Sequence, residues 1–170
     1  MDEQRALMAA RNNAEWCDLV CRTHRVETSF DHDAWLALHR SPPLYPDAVT
    51  LTDQAGSGIL HRIDSSSGCS IKDSFAALDL SPHGFDVLFD AEWIHRPAPR
   101  PTTNDSLTWH LVRTPEELQA WATAHGGGAV FRTTLLHDPN VAIVAAWDGD
   151  TVAAGAIGHR GTAAVGISNG

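Results

Sequence analysis

The 170-residue chain carries 12 basic against 21 acidic residues, a formal net charge of −9, and is 43% hydrophobic. That apolar share suffices for a buried core and argues against wholesale disorder, while the acidic balance disfavours nucleic acid or an anionic membrane, both of which need a concentrated basic patch. No window approaches the roughly 18 apolar residues of a membrane span. The N-terminus lacks the apolar stretch of a secretory leader, and three cysteines without framework spacing suggest reduced thiols. A soluble cytoplasmic protein is expected.

Residues 3–24 read as a helix, because Leu7, Ala10, Ala14, Cys17 and Cys21 recur at spacings of three and four. Cys17, Cys21 and His24 share its face. One helix cannot wrap a tetrahedral ion, so the cysteines are read as core and no metal is expected. A second, short helix is predicted over 31–40, with Asp31 as its cap and Trp35, Leu38 and His39 on one face. The run Ser41-Pro42-Pro43-Leu44-Tyr45-Pro46 must end it. Residues 48–52 and 59–64 are predicted strands around a hairpin loop, and Gly56-Ser57-Gly58 inside that loop is not read as phosphate-binding.

Residues 72–80 are predicted as a short helix. Residues 85–95 then alternate, with Phe85, Val87, Phe89, Ala91 and Trp93 on one side and Asp86, Asp90 and Glu92 on the other. A strand with one buried face follows from that period. Its three carboxylates are candidate docking groups for a substrate amine. They also suit the wet side of an amphipathic strand, partly balanced by Arg62.

The alternating prolines of residues 96–106 prevent helix and central strand, and predict a linker between an N-terminal unit, 1–95, and a C-terminal unit, 107–170. A strand is predicted over 107–112. Thr114-Pro115-Glu116-Glu117 is a helix start with a cap, a first-turn proline and an acid three residues on, and Gly126-Gly127-Gly128 is its stop. A short helix near 133–137 leads to three apolar runs within 141–168, broken at Asp148-Gly149-Asp150 and Arg160-Gly161-Thr162. They predict an antiparallel meander. Both sides of its first strand are apolar, which predicts cover on both faces.

The order strand, helix, short helix, strand, strand, strand over 107–169, with Asp148-Gly149-Asp150 and then Val152-Ala153-Ala154-Gly155-Ala156-Ile157, resembles the first half of a GNAT-family, acyl-CoA N-acyltransferase-like protein. The resemblance implies an α/β (mixed α+β) fold with a predominantly antiparallel sheet flanked by helices. It implies acetyl-CoA as co-substrate, its pantetheine arm paired with the backbone of the fourth strand, and transfer of the acetyl group to a small-molecule or protein amine. Residues 163–168 would be that fourth strand, with Ile167, Ser168 and Asn169 nearest the cofactor.

The chain departs from the family pattern. No Gly-rich loop, helix or fifth strand follows Gly170, the sole tyrosine is Tyr45, and no Glu lies on the fourth strand to act as a base. Catalytic residues are therefore unassigned, and a domain truncated or inactive as given, incomplete at its C-terminus, is expected. Residues 1–95 would be a cap or a degenerate repeat. The rival expectation is a non-catalytic interaction module whose open edge at 163–168 pairs with another chain, self-association included.

Overall fold

The computed structural model describes residues 3–97 and 108–168. The predicted linker therefore lies, for 98–106, outside the described residues. The chain is a mixed α+β protein that divides into two compact units, Met1–His95 and Arg96–Gly170.

The N-terminal unit begins with α1, Glu3–Thr23, whose apolar stripe buries Ala10, Ala14, Trp16, Cys17, Val20 and Cys21. It ends with Val26 N–H donating to Cys21 C=O at 3.0 Å and Arg25 in the left-handed region at φ 60°. This closure satisfies carbonyls of the last turn, and a glycine would adopt it with less strain. Next come β1, Thr28–Phe30, β2, Ala34–Ala37, β3, Ala48–Thr50, and β4, Ile71–Lys72, in spatial order β1-β2-β3-β4. The first two pairings are antiparallel and β3 with β4 is parallel.

Every residue of β2 and β3 is buried. Trp35 points toward α1, where its indole N–H donates to Asp18 at 3.4 Å. The opposite side of the sheet holds Ala34, Leu36 and Ala48, packed with Ile59 and with Ile63, Ile71 and Leu78. The sheet is thus sandwiched between a helix and irregular chain.

Four expectations are corrected here. Residues 31–40 form no helix. Phe30 pairs with Trp35 across a tight turn, and the Asp31 carboxylate accepts the amides of Asp33 and Ala34 at 2.8 and 2.7 Å. Residues 59–64 form no strand; a 3-10 turn, Ser57–His61, replaces it, so Gly56 precedes a helical turn of 5 residues instead of closing a hairpin. Residues 72–80 form no helix. Asp73 there gathers Thr50 Oγ1 at 3.0 Å and the amides of Phe75 at 3.2 Å and Leu78 at 2.7 Å, bending the chain under the sheet.

The fourth correction concerns residues 85–95, which join no ladder. Val87 is 82% exposed, Phe89 78% and Ile94 92%. Alternation expresses a tendency to extend, but a strand also needs a neighbour to take its amides and carbonyls. Its two ends are tied down: Phe85 N–H donates to Leu80 C=O at 3.3 Å, and Trp93 donates its indole N–H to Ser74 C=O at 3.0 Å and lies under Lys72 Nζ at 4.4 Å.

In the C-terminal unit, β5, Thr108–Leu111, leads to α2, Pro115–His125, and two 3-10 turns, Gly128–Val130 and Thr133–His137. Then come β6, Val141–Asp148, β7, Thr151–Arg160, and β8, Val165–Ser168, in the order β5-β6-β7-β8 with every pairing antiparallel. Thr114 and Glu117 form a reciprocal capping box, and Gly126 ends α2 at φ 84°. Trp121 lies so close to the middle of β7 that a Cβ on Gly155 would stand 2.1 Å from its indole nitrogen. It also stacks on His125 and meets Phe131 edge-on, with ring centroids 5.1 and 4.9 Å away. One face of the sheet is therefore covered. On the opposite face Trp109, Leu111, Ala142, Ala154, Val165 and Ile167 are all exposed, so the expected cover on both faces is absent among the described residues.

Candidate functional site

The fourth strand of this sheet, β8, is paired on one side only among the described residues. Gly161 N–H donates to Ala164 C=O at 2.9 Å, which makes these two a hydrogen-bonded pair. Bonded and non-bonded pairs alternate along an antiparallel ladder. With His159 opposite Gly166 and Ile157 opposite Ser168, the bonded pairs fall on Gly166 and Ser168. The N–H and C=O of Val165 and Ile167 consequently face away from β7. Their side chains are 67% and 78% exposed. The strand thus offers two amide–carbonyl sets, one strand period apart, to any extended ligand with matching groups.

Of the residues assigned to acetyl-CoA, Ile167 sits on this edge, Ser168 ends the strand, and Asn169 lies outside the described residues. The three candidate amine-docking carboxylates, Asp86, Asp90 and Glu92, are exposed on the extended stretch that joins no sheet. Without a ladder no single face is imposed on them. Arg62, their expected counter-charge, instead pairs with Asp31. Burial opposes ionisation of Asp31, but the Ala34 and Asp33 amides and the Arg62 guanidinium outweigh it and hold the carboxyl below the usual range.

The cysteines take core positions. Cys17 and Cys21 are buried, and burial pushes each thiol up to about 12. Among the described residues no three His, Cys, Asp or Glu side chains are grouped so as to hold a metal ion. Nor, among them, is any helix long and apolar enough to cross a membrane.

One buried polar cluster has no precedent in sequence spacing. Asp47, just before β3, accepts Arg40 Nη1 at 2.7 Å, the Ser41 amide at 2.8 Å and the Ser70 amide at 3.1 Å, while its own N–H donates to Ser70 C=O at 2.7 Å. Arg40 also reaches Ser66 Oγ at 2.9 Å. This arrangement fixes β4 beside β3. Cys69 borders it, and burial together with the Asp47 carboxylate raises its thiol to about 11 against the opposing Arg40. Half-buried Lys72, held over Trp93, is drawn below the ordinary lysine range by burial. Partners lying 7 and 23 residues from Asp47 leave no periodic mark, which is why sequence reasoning passed over the cluster.

Two concavities are open and shallow. One, of about 520 Å³, runs between α2 and the β6–β7 turn past Glu116, Gln119, Thr123 and Asp150; the other, of about 450 Å³, lies beside Arg22, Arg25, Glu27 and Leu38. Beside the second, Thr28 donates its hydroxyl to the Asp18 carboxylate, which Arg22 and the Trp35 indole also engage as a structural tie. No protein-family model, curated protein or solved structure matches the chain.

Proposed function

We propose that the C-terminal unit is the acyl-CoA-facing half of a GNAT-type N-acyltransferase fold, with β8 as the strand that receives the pantetheine arm of acetyl-CoA. The supporting observation is the free edge of β8, reached through strand, capped helix, strand and strand in the order the resemblance implies. Pantetheine is an extended arm with two amides, and it suits a strand edge whose Val165 and Ile167 backbone groups face outward.

The described residues fit that arm but not the rest of the molecule. A pyrophosphate needs a helix start with free amides. At α2 the Arg113 and Thr114 amides already donate to Glu117 at 2.7 and 3.2 Å, and Glu116 adds a second negative charge. No step of acyl transfer is therefore assigned to these residues, nor any catalytic acid or base. The acceptor in this reading is an amine, with Asp86, Asp90 and Glu92 as its candidate docking groups. A cytoplasmic setting, where acetyl-CoA and reduced thiols coexist, belongs to it.

Weak, local binding is expected. Each missing charge-assisted hydrogen bond to phosphate forfeits about 1.5–3 kcal/mol. Titrating coenzyme A and pantetheine into labelled protein should shift the amide resonances of Val165 to Ile167 only at millimolar ligand, and adenosine 3′,5′-bisphosphate alone should not. Silence of β8 toward pantetheine overturns the reading, and micromolar binding of coenzyme A in calorimetry overturns the account of the missing cradle. A second reading, a non-catalytic interaction module, is favoured by the exposed apolar side chains of Val165 and Ile167 on the same edge.

A further inference from the structure

We infer that residues 85–94 are a donor strand for the β8 edge of a second copy of this chain. The donor has the period of a strand without a partner. Phe85, Val87 and Phe89 recur every second residue, yet the stretch lies extended, with Val87 and Phe89 largely in water. It is held at both ends: Phe85 N–H donates to Leu80 C=O at 3.3 Å, and Trp93 is anchored on Ser74 and Lys72. An extended, tethered, apolar segment has already lost much of the chain entropy that strand addition costs.

The acceptor is complementary in hydrogen bonding and in charge. β8 presents the outward groups of Val165 and Ile167, and neither proline nor lysine guards it. Residues 157–168 contain Arg160 and no acid, whereas 85–94 contain Asp86, Asp90 and Glu92 and no base. In a chain of net charge −9, that contrast selects this pairing over two acidic surfaces meeting. Donor and acceptor are different surfaces of one chain, so the contact is heterologous. The inference stands apart from the acyl-CoA reading, although both occupants need the same edge.

Sedimentation of the full chain tests it. Wild type should self-associate as concentration rises. Val87→Pro removes a donor amide where no ladder exists to be broken, and Val165→Glu places an acid on the acceptor opposite the acidic donor; each variant alone should sediment as a monomer with an unchanged melting temperature. Mixing them leaves one intact donor and one intact acceptor, and should restore a one-to-one heterodimer. Phe89→Asp should repeat the behaviour of Val87→Pro. A monomeric wild type overturns the inference, whether its edge stays free or is filled within the chain. So does association that survives Val87→Pro, or a mixture that stays monomeric.

Discussion

The two sheets reach their strands by similar sequence patterns and end in different surroundings. β2 and β3 are short, apolar on both sides and buried on both sides, with α1 on one face and chain around Ser57–His61 and Leu78 on the other. β6 and β7 are also apolar on both sides, yet only the face under Trp121 is closed among the described residues. Side-chain size accounts for much of the contrast. The uncovered face is built largely from Ala142, Ala154, Ala156 and Gly158 between larger edge residues, and small side chains expose little apolar area each. Apolarity on both sides of a strand therefore predicts cover only when the residues are large.

The comparison can be broken most forcefully at Asp47. Asp47→Ala strands Arg40 and two backbone amides, and should cost about 3–5 kcal/mol of the N-terminal unit's stability. Chemical denaturation followed by tryptophan fluorescence checks it, and a loss within error would show that water replaces the carboxylate. Leu36→Ala, on the sandwiched face, should cost about 3 kcal/mol by leaving a cavity beneath Ile59 and Ile71. In the C-terminal unit, Gly155→Ala should cost about 2 kcal/mol by overpacking, since the new Cβ meets Trp121 and, at 2.8 Å, the unyielding carbonyl of Val144. Its signature is a change in near-ultraviolet circular dichroism from the displaced indole.

Thr114→Ala, which removes the cap of α2, should cost about 1 kcal/mol. The same capping box gives a pH dependence. Glu117 is held below its ordinary value of 4.5, first by the Arg113 amide, then against burial with help from the Thr114 amide. Its contribution is complete above pH 4.5; as pH falls through that value the unfolded chain takes up the proton first, and the contribution is gone below the folded value. Glu117→Gln should flatten that acid limb in a pH series of melting curves. The smallest effect belongs to the open face, where Ala154→Lys should change stability by no more than about 0.5 kcal/mol. A loss as large as that of Leu36→Ala would mean the face is covered in solution.

The C-terminal unit was legible because its punctuation is strong. Thr114 and Glu117 announce a helix start, Gly126 its end, and Asp148-Gly149-Asp150 the turn between β6 and β7. The hairpin of β1 and β2 was not legible, and Asp31 shows why. Its carboxylate accepts amides two and three residues on, the same local bonds that a helix cap makes, so the residue fits both structures. The five apolar residues 34–38 are too few for a period to choose between them. At the candidate edge, the position of Ile167 on a terminal strand could be read from the chain. Which of its backbone groups face outward could not, because that depends on the Gly161–Ala164 pair.

The cysteines of α1 carry a practical consequence. Cys17 and Cys21 lie against the sheet as neutral thiols, so an alkylating reagent reaches their reactive form only while the helix is lifted away. Their labelling is a built-in clock for breathing of the N-terminal unit, with slow modification marking time spent closed. Cys69, only partly covered beside the Asp47 cluster, is a second clock in the same unit that runs on the smaller opening of the β4 margin. The ratio of the two rates separates fraying of an edge from detachment of the helix without adding a single reporter group.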